Sequence, residues 1–250
     1  MKIRLLGTGT GVPSERRNPP SVLMEFGGKH AIFDSGPGTL PNLLRFGVDQ
    51  LNLDFLFYTH FHLDHISDFA AILFAAKIPP SIRKKPLVVY GPGGLKEYYK
   101  KIMDLYKQTL YTDAYRLELR EIENQTIQIG DFSITTMSLE HHDGGMGYRI
   151  CTPDGKNVVY SGDTDYCDNI IELSRDADLL MLECAFPDEM KMKGHLTPIE
   201  AGKVARQSRA KKLILMHMYP VCDQYDLVSQ CKKEFNGEVI AGEDFMEVTC

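Results

Sequence analysis

The stretch THFHLDHISD, residues 59–68, places three histidines and an aspartate within six positions, from His60 to His65. The whole chain has only eight histidines in 250 residues. Histidine is an indifferent core residue and an indifferent helix former, so packing gives no reason to cluster it. Metal coordination gives such a reason. Imidazole and carboxylate ligands together suit zinc better than calcium or magnesium, and iron and manganese are the alternatives to zinc. The stretch therefore predicts a metal site.

The spacing within this stretch predicts ligands for two neighbouring ions. His60 follows the apolar run LDFLFYT, and the alternation of an extended chain sends His60 and His62 toward one side. Asp64 and His65 fall where a helix beginning near Ile66 would start, so the turn can swing them to the other side of a common cavity. Two nitrogens would then serve one ion, while a carboxylate and a nitrogen serve its neighbour.

Polar residues close three later apolar runs. The runs VVYSGD, LLMLEC and LILMH are typical of fully buried strands, and they carry at their ends Asp163, Glu183 and His217. Sites assemble at the carboxyl ends of strands that have helices on both faces. Three such ends in succession therefore indicate a shared centre.

Seven of the eight histidines fall into four clusters: His60, His62 and His65, then His141 and His142, then His195, then His217. The alternative, that these are surface or core histidines without a metal, gives no reason for this grouping. The eighth, His30, is expected to be an ordinary polar residue at the start of a strand.

Composition limits the class of protein. Hydrophobic residues make up 43% of the chain, which is enough for a substantial core, and the six cysteines include no C-x-x-C pair, so we expect reduced thiols. No apolar stretch approaches the roughly 20 residues of a membrane helix, and the N-terminus is a poor signal peptide. A net charge of −6 argues against a broad nucleic-acid surface. We expect a cytoplasmic protein with one domain over residues 1–250.

Strands and helices alternate along the chain. Helices are predicted at residues 65–76, 95–109, 168–175 and 198–209, and the last begins with a capping box of Thr197 and Glu200 around Pro198. The predicted strands are IRLL, SVLMEF, HAIFD, LDFLFYT, PLVVY, TIQIG, FSITTMSL, GYRIC, NVVYSGD, LLMLEC and LILMH.

These motifs carry a resemblance. The segment THFHLDH, then His141, then Asp163 in SGDT, then His217 in LILMH resemble the metallo-β-lactamase superfamily in that order along the chain. Within the superfamily, LLGTGTGVPSERRNPPS, FDSGPGT, HHDGGMGYRI and GHLT resemble the ribonuclease Z branch. The resemblance implies an α/β fold, a four-layer αβ/βα sandwich, and two Zn²⁺ ions at the sheet edges, with manganese or iron as alternatives.

The resemblance also implies roles for individual residues. His141 is favoured over His142 because the family's ligand stands six residues before a glycine, here Gly147; His142 would line the pocket or face solvent. Asp34 is expected to be structural. The family's pattern gives the first ion to His60, His62 and His141, the second to Asp64, His65 and His217, and makes Asp163 the bridge.

The same resemblance implies a hydrolase, most simply a phosphodiesterase. A hydroxide that bridges the metals would attack, oriented by Asp64 and Asp163. His195 would protonate the departing oxygen, and Glu183 would orient its imidazole.

The chain departs from the branch in one respect that bears on its substrate. Ribonuclease Z enzymes usually insert a transfer-RNA-binding arm between the G-Y-R and G-D strands, whereas GYRICTPDGKNVVYSGD leaves room only for a tight turn. Leu182 also replaces the histidine of the family's H-E-A-T motif, and HLT replaces H-S-T. We therefore expect a small phosphodiester or an RNA 3′ end as substrate.

Several alternatives stay open at this stage. The same metals could hydrolyse a lactone, thioester or sulfate ester, or the protein could be a noncatalytic metal or ligand sensor. Homodimers are common in the branch, so the resemblance implies a homodimer. Residues 95–123 would form a lid or a dimer contact, and the tyrosines there would be core residues or a stacking platform for bases.

Overall fold

The computed structural model describes residues 1–142 and 144–250. The strands are β1 (Lys2–Gly7), β2 (Ser21–Phe26), β3 (Lys29–Phe33), β4 (Phe55–Phe57), β5 (Leu87–Gly91), β6 (Leu117–Glu121), β7 (Thr126–Ile129), β8 (Phe132–Leu139), β9 (Gly145–Cys151), β10 (Asn157–Tyr160), β11 (Leu179–Glu183), β12 (Lys212–Met216), β13 (Glu238–Ala241) and β14 (Glu247–Thr249). The α-helices are α1 (Thr39–Leu44), α2 (Leu63–Ile66), α3 (Asp68–Ala75), α4 (Leu95–Leu110), α5 (Asp168–Leu173), α6 (Pro198–Gln207) and α7 (Leu227–Cys231).

The strands form two mixed sheets of similar design. One has the order β14-β1-β2-β3-β4-β5-β6 and the other β13-β12-β11-β10-β9-β8-β7. Strands β3 to β6 run parallel to one another, as do β10 to β13, and the remaining pairs are antiparallel. Parallel neighbours bring their carboxyl ends to one edge, so residues that follow β10, β11 and β12 lie side by side there.

Three apolar clusters fix the layers. The central one joins the facing sides of the two sheets, with Phe33 and Phe57 from the first sheet meeting Tyr148 from the second. A second cluster packs α1, α3 and α4 on the outer face of the first sheet, and a third packs α5, α6 and α7 on the outer face of the second. The order is therefore helix, sheet, sheet, helix, and the predicted four-layer αβ/βα sandwich is confirmed.

The predicted helix at 65–76 is wrong in one respect, because the structure divides it into α2 and α3 at Ser67. The backbone N–H of Asp68 donates to the carbonyl of Ser35 instead of continuing the helical ladder, and Ser35 in turn donates to the carbonyl of His65. These two hydrogen bonds hold α2 against the loop after β3. Helices α4, α5 and α6 agree with the predicted ranges to within two residues, and the Thr197–Glu200 capping box is present.

The segment 95–123 is largely part of the sandwich. Helix α4 packs Tyr98 and Tyr99 against the outer cluster, Tyr115 is buried, and β6 extends the first sheet. Tyr106 and Tyr111 are exposed. Most of α4 is nevertheless exposed, and the lid or dimer contact expected for this segment stays a prediction. Strands β6, β13 and β14 and helices α1 and α7 were not predicted, since they are short and lack strong periodicity.

Two expectations about the chain are met. The turn between β9 and β10 is tight: the N–H of Thr152 donates to the carbonyl of Lys156, and Gly155 has a φ of 83°. All six cysteines are free thiols. Within residues 1–142 and 144–250, no helix has the length and apolar character needed to cross a bilayer.

Candidate metal centre

The first group of site residues follows β4. His60 is buried two residues after Tyr58, whose N–H still pairs with Tyr90 of β5, and His62 is the N-cap of α2, which carries Asp64 and His65. The turn is closely packed, since a Cβ at Gly36 would come within 2.1 Å of the carbonyl oxygen of Asp64. Only glycine fits there, and it lets the backbone bring α2 against the strand ends.

The second sheet brings Asp163 to the centre of this group. Its Oδ2 lies 3.8 Å from Nε2 of His60 and 3.7 Å from Nε2 of His141. Its Oδ1 lies 3.2 Å from Nε2 of His65 and 3.3 Å from Nε2 of His217. The two oxygens of one buried carboxylate thus face two different groups of imidazoles.

The remaining distances complete two ligand sets. His141 Nε2 lies 3.2 Å from Nδ1 of His62, and His217 Nε2 lies 3.5 Å from Oδ2 of Asp64. Each set offers atoms that lie within 4.8 Å of one another; the sets are His60, His62, His141 and Asp163, and then Asp64, His65 and His217. The structure therefore brings together all seven residues predicted as metal ligands.

Polar atoms without partners show that these residues fit metal ions. Nε2 of His60, His65 and His217 and Oδ1 of Asp163 are buried and have no hydrogen-bond partner among the described residues. A buried polar atom without a partner costs about 1–3 kcal/mol, and native proteins rarely keep several together. A cation between these atoms removes that cost, and the imidazole and carboxylate donors are those of zinc enzymes.

The charges of the cluster favour the same conclusion. Burial alone would raise the pKa of Asp163, but the imidazoles of His217 and His65 hold it well below its usual range. Burial also opposes ionisation of Asp64, yet the neighbouring imidazoles of His217 and His65 lower its pKa. Burial, with the neighbouring imidazoles, lowers the pKa of His60 well below its usual value. Ionised carboxylates and neutral imidazoles are the forms that bind a metal; His65, whose pKa is lowered by burial but raised well above its usual value by Asp163 and Asp34, would lose a proton on binding.

Asp34 contacts one of the candidate ligands, His65, on the Nδ1 side of the ring, away from the Nε2 atom that faces Asp163. It is fully buried in a left-handed conformation, with φ of 56°, and accepts from the N–H of Thr59 at 2.8 Å and from Tyr160 Oη at 2.9 Å. It also lies 2.8 Å from Nδ1 of His65. A carboxylate on Nδ1 fixes the ring so that Nε2 faces the metal. The structural role expected for Asp34 is therefore that of orienting a ligand.

His195 and Glu183 meet beside the cluster. Nδ1 of His195 lies 3.1 Å from Oε1 of Glu183, which also accepts from the N–H of Thr164 at 2.6 Å. Burial alone would lower the pKa of His195, but Glu183 raises it above its usual value. Asp163, His195 and His217 offer atoms within 4.8 Å of one another, so His195 adjoins the ligands. The ring of His195 stacks on that of His217 at 5.6 Å.

His142 does not join the ligands. It is exposed, its ring lies 5.5 Å from that of His141, and it packs over Gly194. It faces solvent and also lines a cavity of about 260 Å³ beside His141, so the structure does not separate the two placements expected for this residue.

Some residues at the site were not predicted. The N–H of Gly11 donates to Oδ2 of Asp64 at 2.8 Å, and the stacked rings of Phe186 and Tyr219 stand beside His195. Lys191 contacts the carbonyl of His195. Single glycines, aromatic residues and lysines have no characteristic spacing that would mark them as site residues. The exception is the phenylalanine of LECAF, which could have been identified because that segment was already a candidate.

A cavity of about 350 Å³ opens next to His60 and His62. Phe61, Leu139 and Met146 contribute apolar walls, and Glu123 supplies a carboxylate. Among the described lining residues there is no lysine or arginine. This cavity, one of several beside the candidate ligands, therefore suits a compact and largely uncharged group.

Comparison with known proteins agrees with this geometry. The family model described as a beta-lactamase superfamily domain matches residues 31–218, which contain every candidate ligand. The Bacillus subtilis protein named "Probable metallo-hydrolase YhfI" is 30% identical over 96% of this chain and 96% of its own. The crystal structure of YhfI superposes with a TM-score of 0.83 and covers 99% of this chain and 98% of that one.

Ribonuclease Z proteins are also similar. The enzyme of Methanosarcina acetivorans is 26% identical over 99% of this chain and 97% of its own. The crystal structure of human tRNase Z, short form, is 25% identical, with a TM-score of 0.82 and coverage of 100% and 99%. The archaeal alignment has 302 positions against the 250 residues here, so at least 52 positions of it have no counterpart in this chain.

Proposed function

This chain belongs to the metallo-β-lactamase superfamily, as a ribonuclease Z-like metal-dependent hydrolase, and on that premise we propose that it cleaves small phosphodiesters or RNA 3′ ends. The observation that carries the proposal is the contact between His195 and Glu183 at the rim of the metal ligands. A phosphodiester with a poor leaving group needs a proton donor at this point.

The proposed metal ligands are those of the two sets described above. Zinc fits the donors best, and manganese or iron are the alternatives. Two such ions, when bound, would supply a water activated at neutral pH and would stabilise charge on the phosphoryl oxygens. The proposed ligands are His60, His62 and His141 for one ion, Asp64, His65 and His217 for the other, and Asp163 for both.

His195 is the proposed proton donor. Glu183 accepts the hydrogen of Nδ1, which leaves Nε2 as the nitrogen that holds the transferable proton. The raised pKa of His195 keeps that proton in place near neutral pH. Glu183 is itself held by the N–H groups of Thr164 and Leu196, so the imidazole has a fixed orientation.

A small substrate suits the surroundings of the site. The tight Thr152–Lys156 turn stands where the arm of transfer-RNA-processing relatives would be inserted, and the cavity beside His62 lacks basic residues in its described lining. Binding to long nucleic acids depends on many Lys or Arg contacts to phosphates. Lactones, thioesters and sulfate esters are the competing substrates, and thioesters have less need of His195 because thiolates leave easily.

A hydrolysis panel tests the proposal. Protein of measured metal content is assayed with bis(p-nitrophenyl) phosphate, cyclic nucleotides, a dinucleotide, precursor transfer RNA, a lactone and a thioester. We expect turnover of diesters above that of the other esters. A lactone or thioester turned over far faster than any diester would contradict the proposed substrate class.

A substitution tests the role of His195. We expect His195→Ala to slow a dinucleotide, which has an alkoxide leaving group, by about 100-fold, because general acids contribute about 10²–10⁴-fold. Bis(p-nitrophenyl) phosphate should lose less than about fivefold, since nitrophenolate needs little protonation. Equal losses on both substrates would remove His195 from this role.

A further inference from the structure

One ammonium group holds the turn that precedes α6. Nζ of Lys191 lies 2.6 Å from Oδ1 of Asp165 and 2.6 Å from Oε2 of Glu200, and it also donates to the main-chain carbonyl of His195. Its partial burial would lower the pKa of Lys191, but the two carboxylates raise it, so the amine is charged. All three of its hydrogens therefore have acceptors.

Asp165 ties the same turn to the loop after β10. Its Oδ2 accepts from the N–H of Gly194 at 2.7 Å, and its own N–H donates to the carbonyl of Glu140 at 2.6 Å. The loop that carries Asp163 and the chain between β8 and His141 are thus joined to the turn through one residue, Asp165, which uses its carboxylate and its main-chain N–H.

The turn contacts the reaction site at two points. Gly194 accepts from Nδ1 of His141 at 2.8 Å, and the next residue is His195. A hydrogen bond on the far nitrogen of a metal-bound histidine sets the orientation of its ring. A shift of this turn would therefore move the proton donor and tilt a metal ligand together.

We propose that Lys191 is a positioning residue of the hydrolytic reaction, because its ammonium group fixes the turn that carries both His195 and the carbonyl of Gly194. The inference rests on the proposed function for the role of His195. Ion pairs with partly exposed side chains add little to stability. The effect of Lys191 is therefore expected in the geometry of the site and only weakly in the free energy of unfolding.

The test compares Lys191→Met and Lys191→Arg with Lys193→Met, which removes the same charge from the same turn. Lys193 is exposed and makes no hydrogen bond or ion pair recorded within residues 1–142 and 144–250. With metal at saturating concentration, so that weaker metal binding does not itself lower turnover, we expect kcat of Lys191→Met on the dinucleotide to fall by about tenfold or more and kcat on bis(p-nitrophenyl) phosphate by less than about threefold. KM should change little. Lys191→Arg should recover most of the loss, and Lys193→Met should behave as the unmodified protein.

Two further measurements do not depend on turnover. Hydrogen exchange of the metal-free protein should become faster for the amides of Gly194 and His195 in Lys191→Met. The apparent metal dissociation constant, from competition with a chelator, should rise by about threefold or more, because groups that orient ligands are worth about 10–100-fold. In the double variant with His195→Ala, the loss on the dinucleotide should be no larger than that of His195→Ala alone.

Equal loss on both diesters, or unchanged exchange at Gly194, would overturn the proposal. If Lys191→Met does not fold, Asp165→Asn breaks the same contacts from the other side, and the same pattern is expected. Failure of the unmodified protein to cleave any diester would refute the proposed function alone, and exchange and metal affinity would still decide whether Lys191 fixes the turn.

Discussion

Two buried charges in this molecule have opposite surroundings. Arg83 is 1% exposed, and its guanidinium donates to main-chain carbonyl oxygens at 2.5 to 3.2 Å; they belong to Gln50, Leu51, Leu53, Lys85 and Pro86. Asp163 is 2% exposed, and its Oδ1 has no hydrogen-bond partner within the described residues. The two side chains are almost equally buried, but only the Arg83 guanidinium has its hydrogen-bonding capacity filled by protein atoms.

The difference separates a structural group from a reactive one. A buried charge is tolerated when its hydrogen-bonding capacity is filled, and Arg83 meets that condition by joining the loop before β4 to the loop before β5. Oδ1 of Asp163 faces the imidazoles of His65 and His217 without a hydrogen-bond partner, so a metal ion would complete its surroundings. Arg83 should therefore govern stability and Asp163 activity.

The largest effect is expected for Asp163→Asn. Loss of the shared ligand should lower kcat/KM by at least about 1,000-fold, because metals contribute several kcal/mol to the transition state and 1.36 kcal/mol corresponds to tenfold. The free energy of unfolding of the metal-free protein should stay within about 1 kcal/mol, since relief of the buried charge and loss of its attraction to His65 and His217 oppose each other. Steady-state kinetics measure kcat/KM, and urea unfolding in the presence of a chelator measures the free energy of unfolding. Strong destabilisation of the metal-free protein would show that Asp163, like Arg83, is needed for stability.

Arg83→Met should show the opposite pattern. We expect the free energy of unfolding to fall by about 3–5 kcal/mol, because the buried carbonyl oxygens lose their donor. The kcat/KM of the folded protein should stay within about twofold, since the site is formed by other loops. Urea unfolding measures the first, and Lys84→Met, which changes an exposed neighbour, is the matched control. A large loss of turnover in folded Arg83→Met would show that the two regions are not independent.

Metal removal sharpens the contrast at the site. At a free zinc concentration 100 times the dissociation constant, binding stabilises the folded state by about 2.7 kcal/mol. For a chain of this size that corresponds to a Tm about 5–10 °C higher with zinc than with chelator. Scanning calorimetry at two zinc concentrations measures the shift. An Asp163→Asn protein that kept the full shift would argue against Asp163 as a ligand.

The smallest effect concerns Asp54, a buried carboxylate that does have partners. Burial would raise its pKa, but Lys85, the N–H of His30 and Lys29 lower it below 3.8. Its stabilising contribution, about 1 kcal/mol, is therefore complete above the unfolded-state pKa and disappears as pH falls through the lower folded-state pKa. The free energies of unfolding of Asp54→Asn and of the unmodified protein should differ at pH 6, keep most of that difference down to about pH 4, and converge only as pH falls further through the folded-state pKa. A constant difference across this range would exclude the mechanism.

Most of the candidate ligands could be predicted because their signals are local. His60, His62, Asp64 and His65 lie within six positions, and Asp163 and His217 follow apolar strands. Helix α6 was predicted from its capping box. The division between α2 and α3 was missed because it depends on a hydrogen bond between Asp68 and Ser35, which are far apart in sequence. Helix α1, with six residues, is too short to give a periodic signal.

The sequence by itself determined which residues can bind a metal and, through the alternation of apolar runs and helices, the layers of the sandwich. Only the tertiary structure decided which atoms of those residues are left without partners, that Arg83 is satisfied, and that Lys191 reaches the turn beside His195. The physical reason is how far apart along the chain the interacting groups lie. Donor chemistry and periodicity are properties of neighbouring residues, whereas satisfaction of a buried polar atom depends on groups that only folding brings within about 3 Å.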